Sequence, residues 1–168
     1  MKLLFVFGTR PEAIKLAPLI NLAHGDSRFE VRICVTGQHR EMLQQVLWRF
    51  GITPDFDLQL MKANQTLTDI TCGVLKGLEE VLDHLTPDRI VVHGDTTTTF
   101  AASLAAFYRR VGVVHVEAGL RTGDLHAPWP EELNSKLTAA IAIQHFAPTQ
   151  AAHAILLAVN VPQETIAV

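Results

Sequence analysis

A chain of 168 residues with 48% hydrophobic and 18% charged side chains has the size and composition of one globular domain with its own core, which excludes intrinsic disorder. A net charge of -3 without a basic stripe excludes a nucleic-acid binder, and no apolar run reaches the roughly 18 residues that a membrane span needs. Cys34 and Cys72 stand in no C-x-x-C or Cys/His ligand spacing, so no zinc site is expected and the thiols fit a reducing compartment. The apolar N-terminus, Met1 to Phe7, is too short for a signal peptide, so the sequence reads as soluble and cytoplasmic.

Short apolar runs alternate with helix-period segments along the chain. Leu3–Phe7 predicts a strand ending at Gly8, and Pro11–His24 predicts a helix through Ile14, Leu16, Ala17, Leu19 and Ile20. Glu30–Thr36 predicts the next strand and Arg40–Phe50 the next helix. Gly51–Asn64 carries no period and reads as irregular; Leu67–Leu85 then predicts a long helix. Arg89–His93, Gly112–Glu117 and His145–Ala147 read as strands, with helices over Thr97–Arg110, Glu132–Gln144 and Gln150–Val159. Gln163–Val168 reads as the approach to a further short strand. Continuous β-branched runs suit strands buried on both faces, and strand–helix alternation of this kind predicts an α/β fold with a doubly wound, mostly parallel, Rossmann-like sheet.

In such a sheet a ligand binds outside the carboxyl ends of the strands, so the residues that follow each strand are the candidates. They are Gly8-Thr9-Arg10-Pro11-Glu12, Gly37-Gln38-His39-Arg40-Glu41, His93-Gly94-Asp95-Thr96 and Glu117-Ala118-Gly119-Leu120-Arg121. This concentration of carboxylates, arginines and histidines points to a site that holds an anion and moves protons. Thr9, Pro11 and Glu12 are also ordinary helix-start residues; Arg10, a cation at the positive end of a helix dipole, is not, and predicts an anion there. Asp95 reads equally as a helix N-cap or as a site carboxylate. Glu117 closes an apolar strand and has no cap role, so partial desolvation would raise its pKa toward that of a general acid or base. Glu131 and Glu132, delivered by Pro128-Trp129-Pro130, serve either a helix dipole or catalysis. His93 and His115 read as candidate core histidines, and Lys15 taken alone as a solvated one-turn neighbour of Arg10. Neither G-x-G-x-x-G nor a Walker A sequence follows the first strand, so a nicotinamide or flavin cofactor and an NTPase are both unexpected.

Five segments in order, Phe7 to Lys15, Gln38 to Leu43, Val92 to Thr98, His115 to Thr122 and Pro128 to Glu132, resemble the serial motifs of the non-hydrolysing UDP-N-acetylglucosamine 2-epimerases, and the resemblance spans about residues 1 to 160. It implies the N-terminal half of a GT-B-type two-domain fold, with residues 1–168 forming one domain and a C-terminal UDP-binding domain lying outside this chain. The implied reaction interconverts UDP-GlcNAc and UDP-ManNAc by elimination and re-addition of UDP, without cofactor or metal. The implied acid/base residues are Asp95, Glu117 and Glu131, with Arg10, Lys15, His93, Arg121 and Glu132 binding substrate. Gln38, His39 and Arg40 match a segment that neighbours an activating second UDP-GlcNAc site. A homodimer and a role in cell-envelope polysaccharide synthesis also follow from the resemblance. The family pattern continues Asn-Arg after the paired glutamates, where this chain reads Asn134-Ser135-Lys136. The alternatives are a hydrolysing epimerase or GT-B glycosyltransferase half, and a non-catalytic nucleotide-sugar-binding or dimerisation module. The lone domain is expected to have negligible epimerase activity.

Overall fold

A computed structural model describes residues 1–37, 40–60, 62 and 64–168, with only the backbone of residues 40 and 41. The strands are β1 (Lys2–Phe7), β2 (Glu30–Val35), β3 (Phe56–Asp57), β4 (Arg89–His93), β5 (Gly112–Val116), β6 (Gln144–Phe146) and β7 (Ile166–Ala167). The helices are α1 (Arg10–His24), α2 (Arg40–Arg49), α3 (Leu67–Leu85), α4 (Thr97–Tyr108), α5 (Glu131–Ile141) and α6 (Gln150–Ala158). The strands form one sheet in the order β3-β2-β1-β4-β5-β6-β7, and every named pairing is parallel. The predicted elements recur within a few residues. The correction is β3, a two-residue edge strand inside the stretch read as irregular, paired to Cys34 and Val35.

Side chains alternate across each strand, so one strand feeds two cores. Leu4 and Val6 of β1, with Ile90, Val92 and Val113, pack on α3 and α4. Phe5 and Phe7, with Ile33, Val35 and Val91, pack on α1 and α2. Helix α4 meets the first core through Ala101, Ala102, Ala105 and Ala106, all fully buried, and such small side chains let a helix lie close to the sheet. Cys34, in the same layer, is pushed up to about 12 by burial and then by the Asp57 charge, so it is an inert core thiol.

Chain order sets the crevice. From β1 the chain moves outward to β2 and β3, then returns to β4 and moves the opposite way to β7. The turns leaving β1 and β4 therefore part company, and the gap between them is the topological switch point. Gly119, on the turn after β5, lies against α6. Its φ is +91°, and a Cβ there would lie 2.5 Å from the Ala152 carbonyl oxygen and 2.9 Å from Leu156 Cγ. Gly119→Ala is expected to cost about 2–3 kcal/mol, read as a thermal midpoint lowered by roughly 5–10 °C. An unchanged midpoint would show that α6 shifts away at no cost.

Candidate active site

The crevice is a cleft of about 510 Å³ lined by Thr9, Arg10, Pro11, Glu12 and Lys15 from the start of α1, by His93, Gly94, Asp95 and Thr96, and by Glu117 and Met42. Thr9 caps α1, and Glu12 completes a capping box as the sequence predicts. Arg10 is exposed at the first helical residue, its charge available to the cleft.

Glu117 sits at φ +60°, a left-handed conformation that costs a non-glycine residue about 1–2 kcal/mol. Its two carboxylate oxygens accept from Lys15 Nζ at 2.6 and 2.7 Å, and Oε2 lies 3.1 Å from His93 Nε2. Lys15 is 51% exposed, so this ion pair contributes at most about 1 kcal/mol and does not offset the backbone strain. Five other non-glycine residues among those described, the α3 cap Thr86 included, share the left-handed region, but Glu117 is the one that lines the cleft. Lys15, which taken alone reads as a solvated lysine and by the resemblance as a cleft residue, is thus tied to Glu117 and lines the cleft. Burial lowers the His93 pKa although the Glu117 and Glu12 carboxylates pull it up. At neutral pH the ring is a neutral donor to Glu117.

Asp95 is not an N-cap: Thr96 caps α4, accepting from the Thr99 amide at 3.1 Å, and this leaves the Asp95 carboxyl to the cleft. Burial raises its pKa first, and the Glu131 carboxylate raises it next. Asp95 and Glu131 together line a second hollow of about 290 Å³ with Leu120, Arg121, Thr122, Pro128 and the start of α6. Because Asp95 lines both hollows, they adjoin at its side chain.

Arg121 and Glu132 line the second hollow and are each also bonded within the protein. Arg121 donates from Nη1 to the Leu120 carbonyl (2.8 Å) and to Ser135 Oγ, and from Nη2 to the Ser135 carbonyl (3.0 Å). Ser135, where the resembled pattern has arginine, leaves room for this guanidinium against α5. Glu132 is 3% exposed; its carboxylate accepts the amides of Thr122 (2.9 Å) and Gly123 (3.3 Å) and pairs with Lys136. Burial opposes that charge, yet the two amides and Lys136 hold its pKa below the ordinary value. Both residues, read as substrate contacts, brace the loop that walls the site. Gln38 and His39 lie outside the described residues, as does the side chain of Arg40.

The sequence reading missed Asn134, which donates from Nδ2 to the Asp95 carbonyl at 3.0 Å. It also missed the role of His115, whose Nε2 lies 2.7 Å from the Gly94 carbonyl. Among the described residues no group of three His, Cys, Asp or Glu side chains is placed to hold a metal, and no helix is long and apolar enough to cross a membrane.

What remains is three carboxylates and two cations around one cleft, a set able to move protons beside a bound anion. Residues 22–168 match the family model described as UDP-N-acetylglucosamine 2-epimerase. The UDP-N-acetylglucosamine 2-epimerase of Salmonella typhimurium is 59% identical over 99% of this chain, which covers 44% of that protein. The crystal structure of the Neisseria meningitidis UDP-GlcNAc 2-epimerase bound to UDP-GlcNAc superposes with a TM-score of 0.96 at 52% identity, over 100% of this chain and 46% of that one. The lipopolysaccharide outer core galactosyltransferase WaaB, at 12% identity and a TM-score of 0.68, shares the fold alone. The chain spans less than half the length of the curated relatives it matches. With the motif residues gathered at the switch point and the family model covering most of the sequence, the chain belongs to the UDP-N-acetylglucosamine 2-epimerase family.

Proposed function

We propose that this chain forms one wall of a cleft in which UDP-GlcNAc and UDP-ManNAc are interconverted at C2. The observation that carries the reading is Glu117, held in a left-handed conformation between Lys15 and His93 in the crevice that also presents Asp95 and Arg10. In the forward step a carboxylate takes the C2 proton, the C1–O bond breaks with its electron pair on UDP, and a C1–C2 double bond forms. In the return step the UDP oxygen adds to C1, and a proton reaches C2 from the opposite face. Two faces require two proton carriers. Glu117 is the carboxylate paired with Lys15; Asp95, its pKa raised by burial and by Glu131, is a carboxyl suited to carry a proton. Arg10 and Lys15 at the positive end of α1 offset the charge that grows on the leaving UDP. The Neisseria relative binds UDP-GlcNAc, which supports the substrate.

The second wall belongs to a UDP-binding portion such as the relatives carry beyond this span. The same reading makes the protein a cytoplasmic homodimer serving cell-envelope polysaccharide synthesis, with Gln38, His39 and Arg40 beside a second UDP-GlcNAc.

Exchange at C2 in heavy water tests the reading. With UDP-GlcNAc, this chain alone is expected to give negligible exchange. Adding the separately expressed C-terminal portion of the Salmonella relative should give deuterium at C2 and UDP-ManNAc, and Glu117→Gln should slow both by about 10²–10⁴-fold. Free ManNAc with released UDP would instead identify a hydrolysing enzyme. A folded mixture that binds the nucleotide sugar without exchange would leave a non-catalytic binding module.

A further inference from the structure

Between the end of β4 at His93 and the cap of α4 at Thr96 the chain has two residues, Gly94 and Asp95. So short a turn aims the Asp95 side chain only as well as its own peptides are held. Neither carbonyl of the turn belongs to the sheet ladder or to a helix. Each is met by a buried side chain from a different element. His115, on β5 and 0% exposed, has Nε2 at 2.7 Å from the Gly94 oxygen; Asn134, on α5 and 6% exposed, donates Nδ2 to the Asp95 oxygen at 3.0 Å. The Gly94 amide in turn donates to the Val116 carbonyl at 2.9 Å.

Packing alone does not account for these residue types. A buried amide or imidazole costs about 1–3 kcal/mol unless it is hydrogen-bonded, and an apolar side chain would fill either place without that cost. We propose that Asn134 and His115 are positioning residues that fix Asp95 in the crevice by clamping the two successive carbonyls of the Gly94–Asp95 turn.

The helix period extends the consequence. Asn134 follows Glu131 by three residues, so both lie on one face of α5. One helix therefore sets the Asp95 backbone and also supplies the carboxylate that acts on its side chain. The charged groups that act on the Asp95 carboxyl are Glu131 from α5, Glu117 from the end of β5, His93 from β4 and Arg121 from the following loop. Released from the clamp, the turn would let the carboxyl swing from this setting toward water. The use of such a clamp in catalysis rests on the acid/base reading of Asp95, but its existence is tested on the free chain without substrate, so the two can fail separately.

The test is a carboxyl-carbon NMR titration of the whole 168-residue chain. In Asn134→Leu, folded by circular dichroism, the Asp95 midpoint is expected to fall toward the ordinary value of 3.8, while that of Asp69, held down by Thr66 at the start of α3, stays in place. Asn134→Gln, which keeps the donor, should recover part of the shift, and His115→Leu, which removes the Gly94 partner, should move Asp95 in the same direction as Asn134→Leu. A folded Asn134→Leu chain with Asp95 unmoved overturns the proposal, as does an Asp69 midpoint that moves equally. If Asn134→Leu does not fold, Asn134→Ser is read by the same criterion. In the unmodified chain the Asn134 side-chain amide protons must be protected from solvent exchange; rapid exchange overturns the proposal whatever the variants do.

Discussion

Acidification from pH 6.5 toward pH 4 is expected to remove several kcal/mol of stability through one imidazole. His115 is 0% exposed, and its pKa is driven down to about 3 from 6.5, first by burial, then by the nearby His145, Arg121 and His93, with only the Gly94 carbonyl pulling the other way. Its Nε2 donates to that carbonyl, and Nδ1 has no partner among the described residues. The sign follows from which state takes the proton. The unfolded chain binds it near 6.5, while the folded chain refuses it down to about 3. The stabilisation is therefore complete above 6.5 and drains away as pH falls through that window. At ~1.4 kcal/mol per unit, the window amounts to roughly 4–5 kcal/mol, against a total of about 5–15 for a domain. His145, also lowered by burial and in edge contact with the His115 ring at 6.4 Å between centroids, adds in the same direction. Urea unfolding at steps of pH from 7 to 4 checks this. His115→Gln keeps a donor for Gly94 but cannot titrate; its midpoint should start lower at pH 7 and fall more gently from 6.5 to 5. A variant whose slope in that range equals that of the parent would remove His115 from the account.

The sheet was legible because its strands announce themselves one at a time: β-branched runs such as Ile90-Val91-Val92 need no partner to be recognised, and α3 was bounded from its period alone. Strand β3 was not, since two residues carry no period and Phe56 and Asp57 form a strand only because Cys34 and Val35 lie beside them. The site divides in the same way. Its membership follows from counting what lies after each strand, which yields Arg10, His93, Asp95 and Glu117 as lining residues, while Glu131 comes from the Pro128-Trp129-Pro130 turn. Its internal bonding does not. Lys15 and Glu117 are 102 positions apart, and nothing local in α1 distinguishes Lys15 from a solvated lysine. Asp95 and Thr96 are adjacent and both able to cap; which one does so is decided by the backbone, where Thr96 has the extended conformation. Arg121 reads as a cleft cation until the loop path lays it on Ser135, and Glu132 reads as a cleft acid until the amides of Thr122 and Gly123 claim it. Asn134 stands out in the sequence only as the asparagine that follows the paired glutamates, and nothing there points to the Asp95 carbonyl.

Glu12→Ala is expected to be among the most damaging single changes, for a reason that its capping role only half expresses. The side chain is 3% exposed and receives four donors. Oε2 accepts the amides of Gly8 (2.9 Å) and Thr9 (2.7 Å), and Oε1 accepts the hydroxyls of Thr96 (2.7 Å) and Thr99 (3.3 Å). The first two belong to the turn after β1 and the last two to the start of α4, so one carboxylate fastens the two lips of the switch-point crevice. Alanine leaves two fixed amides without their acceptor and opens a polar void; at about 1–3 kcal/mol for each orphaned donor, a loss of about 3–5 kcal/mol is expected in urea unfolding. Glutamine should cost less, about 1–2 kcal/mol. Its oxygen can keep the amides, and its NH₂ can face the threonines, whose hydroxyls are able to turn: Thr99 Oγ1 has the His93 carbonyl at 2.6 Å as an alternative acceptor for its one proton. If Glu12→Ala cost no more than Glu12→Gln, the four-donor arrangement would not be what holds the turns together. Should the larger loss be found, the positions of Arg10 on one lip and Asp95 on the other depend on a residue that lines the cleft but whose charge is wholly engaged by the protein itself, and stability and site geometry then fail together.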